Sequence, residues 1–186
     1  MNKIILVRHG EPDVKTGEKI SGAEIPSFLN RYNNAALKPN SLPSSRLLFL
    51  STNATIICSD LKRSYCSAQR CNVSPDIADA LFSESIPPHF QNNLLRLKPK
   101  TWLLLSRLLW LMGFSLHGES FKSAKKRAKE AADILLHEAK RRDVLLFGHG
   151  LFNILIAKEL QKRGYAGPKV PARNFWEYGI YQKITE

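Results

Sequence analysis

The stretch ILVRHGEP, residues 5–12, runs an apolar segment straight into an arginine, a histidine and a glycine. The run from Asn2 to Val7 is short and nearly continuous, as in a strand covered on both faces. Such strands belong to parallel sheets under two layers of helix. The polar end then lies at the carboxyl edge of the sheet, where open α/β proteins bind ligands. Alone, Arg8-His9-Gly10 is an ordinary way to end a strand. Its meaning depends on what the rest of the chain brings to the same edge.

Three further segments read as strands with reactive residues behind them. Residues 54–58 are followed by SDLKRS, which holds Ser59 and Arg63. Residues 77–82 form a weaker strand, followed by Ser83 and Glu84. Residues 143–147 are followed by Gly148, His149 and Gly150. A last strand is expected over 175–181. Ile25, Phe28, Leu29 and Tyr32 keep helical spacing, with Ser21 and Glu24 placed as a capping box. Leu47 to Leu50 closes a short helix. Further helices are expected over 61–71, capped by Ser59 or Asp60, over 101–114, over 119–140, and over 152–163, ended by Gly164. The alternation predicts an α/β fold: three layers, α/β/α, with a mainly parallel sheet and helices on both faces. Residues 1–186 read as one domain, with a helical or irregular insertion at about 83–118.

The charge balance constrains partners more than fold. Lys and Arg outnumber Asp and Glu by 28 to 16, a net charge of +12, which favours phosphate esters, nucleic acid or an acidic membrane surface. No nucleic-acid motif and no basic stripe interleaved with aromatics is present, so a nucleic-acid partner is not expected. Cys58, Cys66 and Cys71 form no CxxC pair and read as reduced structural thiols. The chain starts on a strand-like run instead of a signal-peptide h-region, so a cytoplasmic location is expected. The longest apolar stretch, TWLLLSRLLWLMGF at 101–114, carries Arg107 and is too short to span a bilayer. It reads as a core or lid helix, with a membrane-surface or lipid-substrate role as the minor reading. Oligomeric state and physiological substrate carry no signature.

Two arginines, two histidines and a glutamate therefore gather at one sheet edge from distant parts of the chain. That set suits phosphoryl transfer. Arginine forks match phosphate geometry, histidine can form a covalent intermediate, and a carboxyl can protonate the leaving oxygen and then activate water. Glycines beside each histidine would let the backbone approach a ligand. GxxxxGK[ST], GxGxxG and HExxH are absent, as is an Asp pair for Mg²⁺. HGES at 117–120 lacks the GxSxG context of a hydrolase and reads as a helix N-terminus.

ILVRHGEP, SDLKRSYCSAQ and VLLFGHG, in that order and each after a strand, resemble the three signatures of the histidine phosphatase superfamily, with the phosphoglycerate-mutase-like fold. The resemblance runs from Lys3 to about Leu160, and GESFKSAKKRAKEAA is similar to the long helix before the last signature. It implies a metal-independent phosphatase acting on small phosphorylated substrates, with no cofactor. His9 would be the nucleophile that becomes phosphohistidine. Arg8, Arg63 and His149 would bind the phosphoryl group, and Glu84 would donate the proton. Two departures bear on this. SESIPPHF replaces the aromatic-Gly-x-Trp that often follows the acid, which keeps Asp79 and Glu119 as rivals to Glu84. The loop after RHGE lacks the Trp-Asn of the mutases, which favours a phosphatase over a mutase-type phosphotransferase. A basic phosphate-binding module that kept the cations without the chemistry is the third reading.

Other polar residues have plainer expectations. Lys62 reads as a helix-surface charge. Glu11 and Asp13 are loop charges, with Glu11 placed to hold a nearby cation. His89, His117 and His137 are solvated or structural. Trp102, Trp110 and Trp176 are core or edge aromatics. KSAKKRAKE, residues 122–130, is a solvated helix face that adds to an anion-attracting field.

Overall fold

The structure, a computed structural model, describes residues 2–86, 88, 94–115 and 118–184. Its first strand, β1 (Ile4–Arg8), is buried up to Val7. There follow β2 (Ile20–Ser21), α1 (Ile25–Asn34), α2 (Ser45–Thr52), β3 (Thr55–Cys58), α3 (Lys62–Arg70) and β4 (Ile77–Ala78). The remainder of the chain forms β5 (Arg96–Leu97), α4 (Pro99–Leu111), α5 (Phe121–Glu138), β6 (Val144–Gly148), α6 (Gly150–Lys162), β7 (Tyr165–Ala166) and β8 (Tyr178–Lys183). Among the described residues the main sheet has the order β4-β3-β6-β1-β8-β7, and β2 pairs with β5 apart from it. β1, β3, β4 and β6 run parallel. β8 is antiparallel to both β1 and β7. The expected mainly parallel sheet is present, with an antiparallel edge.

The apolar run of β1 serves two cores because successive side chains point to opposite faces. Ile4 and Leu6 pack with Ala124, Ala128, Ala131 and Leu135 of α5 and Phe152 and Ile156 of α6. Ile5 and Val7 pack with Leu47 of α2 and Ala68 and Cys71 of the α3 region. A third cluster joins Ile20, Ile25 and Phe28 to Trp102 of α4. Trp102 Nε1 donates to the Ile20 carbonyl at 2.8 Å. Trp110 is fully buried and its Nε1 donates to the Glu119 carbonyl at 2.6 Å. Among the described residues, no helix is long and apolar enough to cross a membrane.

Several elements depart from the sequence reading. The weak strand at 77–82 stops after Ala78, because the Asp79 carboxylate accepts from the Leu81 amide at 2.7 Å and turns the chain into a 3-10 helix, Ala80–Phe82. The last strand begins at Tyr178, not at 175. Phe175 and Trp176 precede it, and Trp176 has a φ of 65°, a left-handed conformation costly for a bulky residue. Neither Ser59 nor Asp60 caps α3, whose N-cap is Leu61. Ser59 bonds to His149 and Asp60 accepts from the Ser83 hydroxyl. Ser120 caps α5 by accepting from Ser123 N at 3.0 Å, as expected for the HGES segment. His89 and His117 lie outside the described residues, as does part of the 83–118 insertion. Cys58 and Cys71 are buried free thiols, and burial pushes both up to about 12.

Two of the glycines beside the histidines, Gly148 and Gly10, make room for protein side chains rather than for a ligand. A Cβ on Gly148 would lie 2.3 Å from Asn153 Oδ1. Asn153 is fully buried, accepts from His149 N at 3.3 Å and donates to the Val7 carbonyl at 3.0 Å. It ties α6 to β1. A Cβ on Gly10 would lie 2.4 Å from the Trp176 ring. Gly148→Ala is expected to destabilise the fold by about 1–3 kcal/mol through overpacking, read as a lower urea midpoint with unchanged slope. A wild-type midpoint would show that Asn153 is free to move.

Candidate active site

Strand pairing puts the two histidines side by side. Arg8 lies opposite Gly148 in the parallel pair β1–β6, and His9 N donates to the Gly148 carbonyl at 3.1 Å. Both strands end there, so His9 and His149 emerge together, with ring centroids 5.1 Å apart. Arg63, one residue into α3, points inward and is buried, whereas Lys62 beside it is exposed. The His9 ring is also walled by Tyr32 at 6.5 Å and Phe175 at 5.5 Å.

Its neighbours select one tautomer of His9. Nδ1 lies 2.8 Å from the Gly10 carbonyl, which can only accept, so Nδ1 carries the proton. Nε2 lies 3.1 Å from Arg63 Nε, which can only donate, so Nε2 carries the lone pair. Burial, first of all, and the Arg63 and Arg8 charges hold the imidazole well below its ordinary value, against the pull of the Gly10 carbonyl. His9 is thus a neutral base whose Nε2 lone pair faces Arg63. His149 is held low by burial and then by Arg63, His9 and other cations. Its Nε2 shares a 2.8 Å hydrogen bond with the Ser59 hydroxyl.

Arg63 is oriented by Asn33, whose Oδ1 accepts from Nη1 at 2.6 Å, and it lies 5.0 Å over the Tyr32 ring. Arg8 stacks 4.6 Å over Phe175 and donates through Nη1 to the Arg173 carbonyl. Burial lowers both guanidiniums, with Tyr32 and Glu84 opposing. Arg107 of α4 adds a third positive charge, felt at Arg8 and at Tyr32. Arg8 Nε and His149 Nδ1 are buried polar atoms without a hydrogen-bond partner among the described residues. Such atoms call for a ligand or water. An anion with several oxygens fits the Arg8 donor, and it fits Nδ1 in the tautomer in which the Ser59 hydroxyl donates to Nε2.

Glu84 sits at the same corner. Its Oε1 accepts from Phe152 N at 2.9 Å and from Ser85 N at 3.2 Å, and its Oε2 from Leu151 N at 3.2 Å. The Leu151 and Phe152 amides open α6, directly after His149, where a helix favours negative charge. The rival acids are committed elsewhere. Asp79 holds Leu81 N, and Glu119 makes a two-point pair with Arg127 at 2.9 and 2.7 Å. Arg127 also donates to the carbonyls of Leu81 and Ser83 and to the Ser85 hydroxyl, so it clamps the chain on both sides of Glu84. It stacks 3.8 Å over Phe152. The expected solvated face of 122–130 therefore contains one inward, paired arginine. His137 is exposed and Glu11 pairs with Lys38 at 2.5 Å, both as expected.

The structure brings Arg8, His9, Arg63, Glu84 and His149 to one edge. The sequence reading missed Tyr32, Asn33 and Arg127 and took Phe175 for a strand residue. Among the described residues, no three His, Cys, Asp or Glu side chains are grouped to hold a metal ion.

The chain matches the model of the Histidine phosphatase superfamily (branch 1) over residues 4–174. No curated protein matches it. Solved structures do. The product of the open reading frame Rv3214 of Mycobacterium tuberculosis is 20% identical, with a TM-score of 0.62 over 99% of this chain and 96% of that one. The mycobacterial glucosyl-3-phosphoglycerate phosphatase Rv2419c is 19% identical, with a TM-score of 0.56 over 87% of this chain and 80% of that one. TTHB049 from Thermus thermophilus is 17% identical, with a TM-score of 0.54 over 96% of this chain and 92% of that one. At these identities the likeness is one of fold, and the fold is the phosphoglycerate-mutase-like one.

The buried histidines predict a pH dependence of stability. Both folded-state values lie below the ordinary 6.5, so below that pH the unfolded chain binds more protons. The stabilisation is complete above about pH 6.5 and is lost as pH falls toward the folded values, at up to about 1.4 kcal/mol per pH unit for each histidine. Urea midpoints should fall between about pH 7 and pH 5, and His149→Gln should flatten the fall. Equal slopes in wild type and variant would refute the assignment.

Proposed function

The chain belongs to the histidine phosphatase superfamily, branch 1, and from that premise we propose that it is a phosphatase hydrolysing phosphomonoesters through a phosphohistidine on His9, without a metal. The observation that carries the reading is the tautomer of His9, which leaves a neutral Nε2 lone pair beside Arg63. A phosphate ester enters with its oxygens toward Arg8, Arg63 and His149, where the unpaired buried Arg8 Nε is a donor that favours an oxyanion. Nε2 attacks phosphorus, the P–O bond to the leaving group breaks, and Glu84 in its acid form gives that oxygen a proton. The Glu84 carboxylate then takes a proton from water. The water oxygen attacks phosphorus, the P–N bond breaks, and Nε2 regains its pair. The arginines supply the positive charge that a metal supplies in other phosphoryl-transfer sites.

A phosphatase activity is also favoured by the glucosyl-3-phosphoglycerate phosphatase of the same fold. A binding module without turnover has one observation on its side. Both Glu84 oxygens are engaged by backbone amides, as a purely structural helix cap would be.

Hydrolysis of p-nitrophenyl phosphate in excess chelator is expected for the wild type. His9→Ala should lower it by at least about 10⁴-fold with an unchanged circular dichroism melt. Equal turnover in a folded His9→Ala would overturn the mechanism. Glu84→Gln separates the acid from the cap. Nitrophenolate leaves without a proton, so this variant should keep a stoichiometric nitrophenolate burst while losing about 10²–10³-fold on an alkyl phosphate. A burst slowed as much as the turnover of the alkyl phosphate would make Glu84 a structural cap.

A further inference from the structure

From Trp102 onward the helix α4 carries apolar side chains on both its inner and its outer face. Pro99, Trp102, Ser106 and Trp110 face the protein and are buried. The opposite face carries Leu104 at 57% exposure, Leu105 at 38%, Leu108 at 51%, Leu111 at 55% and Met112 at 66%, with Phe114 at 54% just beyond. Scattered exposed leucines are normal, but these share one helix face, and Arg107 is the only charge between Thr101 and Ser115. A helix of this kind is ordinarily covered on both sides. Among the described residues nothing covers the outer one.

The charge around this face says what would. From Ser85 to Gly118 the sequence contains Arg96, Lys98, Lys100 and Arg107 and no acidic residue. Lys98 and Lys100 are exposed at the start of α4. At its other end Trp110 meets Phe121 at 4.8 Å, and the first turns of α5 add exposed Lys122 and Lys125. The neighbouring acids are already paired, Glu24 with Arg96 at 3.1 Å and Glu119 with Arg127 at 2.7 Å. An aliphatic centre between cationic ends is the pattern of helices that lie in the plane of an anionic membrane surface. A second copy would bring two such cationic rims, on chains of net charge +12 each, against one another.

We infer that the outer face of α4 docks on an anionic lipid bilayer, with Leu104, Leu108 and Leu111 entering the acyl boundary and the flanking lysines meeting the headgroups. α4 packs through Trp102 on Ile20, Ile25 and Phe28 of the α1 region, and the Arg107 charge reaches Arg8. Docking therefore sets the edge that holds His9 close to the headgroup layer.

The test is co-sedimentation of the whole chain with vesicles of equimolar phosphatidylglycerol and phosphatidylcholine, beside vesicles of phosphatidylcholine alone. Wild type should sediment with the anionic vesicles and partition at least about tenfold less to neutral ones. Leu104→Ser/Leu108→Ser, at exposed positions, should keep the wild-type melt and lose binding by at least about tenfold. Lys98→Glu/Lys100→Glu should weaken it in the same direction. Wild type remaining in the supernatant with both vesicles would overturn the inference, as would undiminished binding by the serine variant. A wild-type dimer in sedimentation velocity that the serine variant converts to monomer would assign the face to a second copy instead. The readout is binding, so it stands or falls apart from the turnover of the site.

Discussion

The hydrogen bond from His9 N to the Gly148 carbonyl extends the parallel β1–β6 ladder by one step beyond the strands, and the site depends on it. Arg8 opposite Gly148 means that the two strands run out at the same level. A slip of one residue would turn the β1 side chains to the other face. Ile4 and Leu6 would leave the α5–α6 core, and Ile5 and Val7 would leave the α2–α3 core. Both cores therefore hold the register that sets His9 against His149. Asn153 reinforces it from α6 by bonding Val7 of one strand and His149 after the other.

That placement has an electrostatic consequence. Two guanidiniums and two imidazoles share a space little exposed to water, and the carboxylates that oppose the arginine charges are Glu84, Glu177 and Asp60. Crowding of like charge, added to burial, keeps both imidazoles neutral. The same excess of positive potential favours an incoming dianion. One arrangement thus keeps the proposed nucleophile unprotonated and attracts its substrate, and neither effect needs a separate device.

The parts of this legible in the sequence are those with a local pattern. A buried strand declares itself by its apolar run, and a rim residue by following it, so Arg8, His9, Arg63 and His149 could be placed from their neighbours alone. The 3-10 turn after Asp79 and the N-cap of α3 were not legible, because each depends on a side chain choosing one backbone or tertiary partner over another. Ser59 has the residue type of a cap, but the His149 ring, brought up by strand pairing, takes its hydroxyl. Asn33 and Tyr32 reach Arg63 across the fold, and no spacing in the chain encodes that contact. Gly10 and Gly148 were read as letting the backbone approach a ligand, but the occupants of the space are Trp176 and Asn153.

The surroundings of Glu84 show how far local pattern can mislead. Arg127 sits in a run of lysines whose plainest reading is a solvated face, and its neighbours Lys125 and Lys126 are exposed. One position further along, the helix turns its side chain toward the chain around Glu84, where it bonds Leu81, Ser83, Ser85 and Glu119. Occupying Glu119 removes a rival carboxylate, and gripping Ser83 and Ser85 fixes the loop that presents Glu84. Glu84 in turn binds the first amides of α6, the helix that begins directly after His149. The candidate acid and the second histidine are thus carried by one corner of the fold. A shift of β6 would move both together, so their spacing is kept by the α6 N-terminus even though the residues lie far apart in sequence.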